Sequence, residues 1–162
     1  MNTVELINFT NLSLEEKKLI LSWRNHPSIR KWMYTEEIIS LENHLSFIET
    51  LKNTKSKQYF VVKDKENYLG VIDFCDITPS SVIMGLYKNP ILKGVGILLL
   101  QSIIQYAFET LKVTTIISEV FESNVQAYKL YNQIGFKTVS EKVVNNKKVI
   151  VMQLSLDTDI NI

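Results

Sequence analysis

The chain has 162 residues, 46% of them hydrophobic and 22% charged, with a formal net charge of +1. That length suits one domain, which buries roughly 70% of the surface its unfolded form exposes. Usage this ordinary points to a soluble globular protein, and charge this near neutral excludes a global pull toward nucleic acid or an anionic membrane.

Residues 4–9 alternate apolar and polar side chains as a first strand does. Ser13-Leu14-Glu15-Glu16 is a capping box and opens a helix carrying Leu14, Ile20, Leu21 and Trp23. Trp23-Arg24-Asn25-His26-Pro27 breaks that helix, and Pro27 starts a short second one through Trp32 and Met33. Ser40 caps a third, with Leu41, His44, Leu45, Phe47, Ile48 and Leu51 along it. Residues 59–63, 68–77 and 81–88 read as strands joined by turns. From Gly96 the set Leu100, Ile103, Ile104, Ala107, Phe108 and Leu111 keeps helical spacing over four turns. Residues 113–121 form a β-branched strand, and residues 124–133 a helix closed by Gly135. A last hairpin, 136–144 and 147–154, turns at Asn145-Asn146.

No repeat, low-complexity tract or linker interrupts this order, so residues 1–162 are expected to form one α/β domain, with 155–162 as a frayed tail. No apolar run nears the roughly 20 residues that span a bilayer, and the N-terminus lacks a signal-peptide pattern; a cytoplasmic protein is expected. The lone Cys75 suits that reducing compartment and reads as a buried, inert thiol. No His, Cys or carboxylate spacing suggests a metal.

Lys93-Gly94-Val95-Gly96-Ile97-Leu98 lies between a strand and the long helix. Glycines there let backbone approach a ligand, and the first helix amides point outward with the dipole behind them, a site for phosphate or pyrophosphate. A short Gly-rich turn is common, and its weight comes from a second segment downstream.

Lys93 to Leu98 resembles the Q/R-x-x-G-x-G/A acyl-CoA loop of the GNAT N-acetyltransferase superfamily, with Lys93 where Gln or Arg is usual and Leu98 where Gly or Ala is. Glu119-Val120 followed by Asn124, Ala127, Leu130-Tyr131 and Gly135-Phe136 resembles the same superfamily's L-E-V-x-x-x-N-x-x-A-x-x-L-Y-x-x-x-G-F segment. The resemblance implies a single α+β domain whose central, mixed, mostly antiparallel sheet has about seven strands. Helices flank it, and it splays between the fourth and fifth strands. A narrower resemblance rests on Trp23-Arg24-Asn25-His26-Pro27, Trp32-Met33-Tyr34, Ile39-Ser40-Leu41 with His44, and Tyr87-Lys88-Asn89-Pro90. These segments are similar to the nucleotide-sugar N-acetyltransferases of bacterial pseudaminic acid biosynthesis. Those enzymes acetylate the 4-amino group of a UDP-linked 4-amino-4,6-dideoxy-AltNAc sugar that becomes a flagellin glycan.

The resemblance implies acetyl-CoA as donor, with pyrophosphate on Lys93, Gly94, Val95, Gly96, Ile97 and Leu98 and pantetheine along Leu86, Tyr87, Asn124 and Tyr128. It gives Tyr131 as the acid that protonates the CoA sulfur and Glu119 as general base, with Glu122 in reserve. On spacing alone Tyr131 is a core aromatic beside Ala127, Leu130 and Ile134, and Glu119 could emerge on a solvated sheet face. Strand alternation sets Glu119 with Ile117 and Phe121, which favours partial burial. Asn124 can serve as a plain N-cap as well. For the acceptor, Arg24 suits a diphosphate or a surface ion pair with Glu15, Glu16 or Glu49. His44 suits a ligand contact or a structural role, and Met33, Tyr34 and Tyr87 would shape the pocket. A homo-oligomer is compatible with the sequence, which fixes no assembly. Two other readings stand beside this one: acetylation of a protein N-terminal α-amine, and acyl-CoA binding without transfer.

Overall fold

The computed structural model of the chain describes residues 4–158. A first strand, β1 (Glu5–Asn8), passes through one tight turn into α1 (Leu14–Arg24), α2 (Pro27–Arg30) and α3 (Leu41–Leu51). Then come β2 (Gln58–Asp64), β3 (Asn67–Cys75) and β4 (Ser81–Lys88), α4 (Gly96–Gln105), β5 (Thr115–Phe121), α5 (Val125–Ile134), β6 (Lys137–Val144) and β7 (Lys147–Ser155). The seven strands form one sheet in the order β1-β2-β3-β4-β5-β7-β6. Every neighbouring pair is antiparallel except β4 with β5. That parallel pair needs a crossover, which α4 supplies.

Local signals set the element ends. Ser13 Oγ accepts from the Glu16 amide while the Glu16 carboxylate accepts from the Ser13 amide, the reciprocal capping box expected at α1. At α3 only the first half of that pattern is present, Ser40 Oγ accepting from the Asn43 amide, and Pro27 occupies the first turn of α2. Asn145 and Asn146 have φ of 51° and 64°, so a two-residue loop matching the strand twist closes the final hairpin.

The sheet carries a core on each face. On one, Ile20 and Trp23 of α1 and Ile48 and Leu51 of α3 pack on Val61 and Val71. On the other, Leu99, Leu100 and Ile103 of α4 and Tyr131 and Ile134 of α5 pack on Phe60, Ile72, Phe74, Ile116 and Met152. The strands between are buried on both sides, which accounts for their near-continuous apolar runs.

Two details depart from expectation. The long helix is α-helical only to Gln105; residues Tyr106–Thr110 form a wider π turn in which the Leu111 amide bonds to Tyr106 O at 2.9 Å. The Tyr106 ring lies 4.9 Å from Phe60 and 5.0 Å from Phe74, and its hydroxyl donates to Gln58 Oε1, so tertiary contact to the sheet favours the wider turn. Of the tail expected to fray over 155–162, Ser155 still pairs with Thr115 and the Leu156 amide bonds to Thr114 O; residues 159–162 lie outside the described residues.

Candidate active site

Pairing between β4 and β5 runs from Ser81 with Thr115 to Met84 with Ser118 and then stops. Beyond that point β4 remains paired only to β3, as far as Lys88, and β5 only to β7, as far as Phe121. Strand backbone on the two facing edges is left without a strand partner, the expected splay between the fourth and fifth strands. Gly85 of β4 and Glu119 of β5 are the first residues past the last pair.

The α4–α5 face supplies the first group. Val95 precedes α4 without any side-chain cap bond, so the first amides of that helix are free to meet an anion. Gly94 has φ of +75°, a left-handed conformation that suits glycine. Leu98 turns toward the core, so its bulk does not obstruct the loop. Lys88 donates to Leu92 O at 2.6 Å and thereby ties the loop to β4. Asn124 caps α5 through Ala127, and Tyr128 packs partly buried on the core. Tyr131 is 8% exposed. Burial, and then the negative field of Asp73, hold its phenol above the usual tyrosine range.

On the α1–α3 face the second group gathers. Arg24, at the end of α1, donates from Nη2 to Thr35 O at 3.3 Å, while its buried Nη1 has no hydrogen-bond partner in the protein. Glu15, Glu16 and Glu49 are paired to Lys18, to Ser13 and Tyr68, and to Lys52, so none of them is the ion-pair partner of Arg24. Burial lowers the guanidinium pKa, and Tyr87 and Tyr59 oppose that shift, so both phenols lie close by.

Beneath them lies Asp73, a residue the sequence reading did not single out. It stands directly opposite Tyr59 on β2 and Gly85 on β4. A Cβ at Gly85 would meet its carboxylate oxygens at 2.5 and 2.7 Å. Burial pushes its carboxyl up to about 6, against the opposing influence of Cys75 and Lys57. Asp73 nonetheless keeps intermediate solvent exposure, as do Tyr59, Cys75, Gly85 and Tyr87, and strand register sets all five close together on the α1–α3 side of the sheet. The Cys75 thiol donates to Asp73 Oδ1 at 3.6 Å, which leaves the Tyr59 hydroxyl to donate to Cys75 Sγ, also at 3.6 Å. Burial and Asp73 push that thiol up to about 11, which suits an inert cysteine. An acid among Leu69, Val71, Ile72 and Phe74 was visible in the sequence; its position opposite a glycine required the strand register.

Glu119 and Tyr34 form a third group. Glu119 is half-buried on the β5 edge, as alternation implied. Tyr34 donates to its Oε1 at 2.5 Å and Lys142 to its Oε2 at 2.8 Å, so both oxygens are engaged. The Tyr34 ring meets Phe121 edge-on at 5.6 Å, while Met33 lies half-buried beside it in the chain. Glu122 pairs with Lys148 away from this group. His44 is buried, and its Nε2 donates to Lys17 O at 2.9 Å, joining α3 to α1; burial lowers its pKa.

Comparison with known proteins follows the same lines. The family model for the Acetyltransferase (GNAT) domain matches residues 7–137. The chain is 48% identical over 138 residues to the acetyltransferase PseH of Campylobacter jejuni, covering 85% of this chain and 87% of that protein. It is 37% identical over 62 residues to the spermine/spermidine N(1)-acetyltransferase of Bacillus subtilis, covering 38% and 41%. The crystal structure of Campylobacter jejuni N-acetyltransferase PseH in complex with acetyl coenzyme A superposes with a TM-score of 0.79 at 41% identity, covering 94% of this chain and 98% of that one. A Vibrio cholerae spermidine N-acetyltransferase with CoA and spermine reaches 0.85 over 96% and 97%, but at 20% identity that likeness speaks for the fold alone.

Proposed function

The chain belongs to the GNAT acetyltransferase family, and from that premise we propose that it transfers acetyl from acetyl-CoA to the 4-amino group of a UDP-linked 4-amino-4,6-dideoxy sugar. Its place would be the pseudaminic acid pathway, in the cytoplasm. The observation that carries the reading is the 48% identity over 85% of the chain to an acetyltransferase whose counterpart structure is described with acetyl coenzyme A. The sugar as acceptor rests on the resemblance carried by Arg24, Met33, Tyr34 and Tyr87.

In this reading the thioester enters the gap beyond Met84 and Ser118, and its carbonyl takes a backbone amide near Leu86. Pyrophosphate meets the residues from Lys93 to Leu98 at the start of α4. Asn124, Tyr128 and Tyr87 flank the pantetheine. The amine attacks from the α1–α3 side, where the buried, unpartnered Nη1 of Arg24 suits a sugar or diphosphate oxygen. Tyr131, held protonated by burial, gives its proton to the departing sulfur. Glu119, with both oxygens engaged, anchors Tyr34 at the pocket wall.

The test is mass spectrometry of acetyl-CoA incubated with the protein and a panel of UDP-amino sugars, spermidine and an N-terminal peptide. A gain of one acetyl group on a 4-amino sugar nucleotide is expected. Acetylation of spermidine or the peptide alone would move the acceptor to another class, and binding of acetyl-CoA without product from any amine would remove transfer altogether.

A further inference from the structure

Attack on a thioester requires a neutral amine, while a free amino sugar or alkyl amine carries a proton over much of the physiological range. We propose that Asp73 receives the acceptor's ammonium group and takes its proton, releasing the amine as the nucleophile. The inference rests on the acetyl-transfer reading above and deepens it.

Strand register carries the argument. Gly85 is the first residue of β4 past its last pair with β5, and Asp73 is the residue directly across from it. The carboxylate therefore sits at the mouth of the gap, in space that any side chain at 85 would fill. Its neighbours on this face are uncharged: Tyr59 on β2, Cys75 on its own strand and Tyr87 on β4. Lys57, just before β2, acts on it only through its field, and Arg24 of α1 acts on Tyr59 and Tyr87. None of the ion pairs among the described residues includes Asp73. A partly desolvated carboxylate without an ion-pair partner is costly to a fold, and an incoming ammonium is the complement it lacks.

Two more observations agree. The field of Asp73 reaches Tyr131 on the other face of the sheet and helps to keep that phenol protonated. Glu119, the other carboxylate near the gap, already has a donor on each oxygen.

The protons balance. The ammonium gives one proton to Asp73, and the amine's lone pair forms the C–N bond as the carbonyl becomes tetrahedral. Collapse breaks the C–S bond and sulfur takes the proton of Tyr131. The remaining excess proton on nitrogen returns to the Tyr131 phenolate through water, and Asp73 loses its proton to solvent when product leaves.

The experiment compares kcat/KM against pH for the parent and Asp73→Asn with acetyl-CoA and the UDP-4-amino sugar. The parent should show an ascending limb near the Asp73 pKa of about 6, beside the limb of the substrate amine. Asp73→Asn should lose that lower limb and about 10²-fold in kcat/KM, with acetyl-CoA affinity within twofold. Retention of the limb, with kcat/KM within threefold of the parent, overturns the proposal. Should the variant lose acetyl-CoA binding through misfolding, binding by the parent decides: affinity for the amino sugar should rise from pH 5 to 7 while that for its 4-hydroxy counterpart stays flat. Equal profiles for the two also overturn it. If the parent acetylates no sugar nucleotide, the acceptor reading fails by itself, and the limb is then measured with whichever amine in the panel is consumed.

Discussion

Tyr131 illustrates how one residue can belong to the core and to the chemistry. Its ring packs 5.7 Å from Phe136 within the α4–α5 core, and burial holds its proton firmly. A phenol of raised pKa looks a poor donor to a thiolate, whose ordinary conjugate acid titrates near 8.5. The same burial, however, disfavours the thiolate, so both anions are penalised together and the proton moves as charge develops on sulfur. Tyr131→Phe keeps the packing and removes only the donor. It should bind acetyl-CoA with unchanged affinity and turn over about 10²-fold more slowly. Single-turnover rates and a binding isotherm on the same preparation check this, and equal turnover would end the acid role.

Between elements, the segment joining α2 to α3 is fastened from two sides. Asn25 on the α1 side exchanges bonds with Ile39, donating to its carbonyl at 2.9 Å and accepting from its amide at 2.8 Å. From the β6–β7 hairpin, Asn145 donates to Tyr34 O at 2.7 Å, and Lys147 reaches Glu36 at 3.4 Å while lying over the Phe121 ring. Glu119 is the central post, joined to Tyr34 and Lys142. Glu119→Gln removes the charge that holds Lys142. It should raise acceptor KM about fivefold, the worth of roughly 1 kcal/mol of hydrogen bonding, and leave the lower pH limb in place. Disappearance of that limb in Glu119→Gln would restore Glu119 as the base. Periodicity exposed the helices and strands here because amphipathic spacing is local. It did not expose the clamp, which joins residues such as Tyr34 and Asn145 that are far apart in sequence. His44 is a similar case: the Lys17 carbonyl that its ring nitrogen bonds to is on another helix, 27 residues away in the chain.

For the whole molecule, the order of elements followed from the pattern of strands and helices and the splay between the fourth and fifth strands from the family resemblance, whereas the parallel β4–β5 pair and the side chains gathered around Gly85 depended on register. Asp73 is the clearest case, and its placement has a consequence for stability. Its carboxyl is raised from 3.8 to about 6 by burial. Below the unfolded value both states hold the proton and the group contributes nothing to pH dependence. Between 3.8 and 6 the folded state holds more protons than the unfolded one, so stability falls as pH rises; above that window the full cost is present. Because Asp73 is touched by solvent, that cost is about 1–3 kcal/mol rather than its upper limit. Asp73→Asn should therefore melt higher than the parent at pH 7.5, by roughly 2–10 °C, and show no such gain near pH 4. Both melts belong in buffer without acetyl-CoA, whose binding would itself shift the midpoint. A site kept for acting on a cation then trades stability for activity in one side chain: the substitution that strengthens the fold at neutral pH is the one that removes the proton acceptor. A parent and variant that melt together at both pH values would mean the carboxylate is well solvated, and its tuning for proton transfer would go with it.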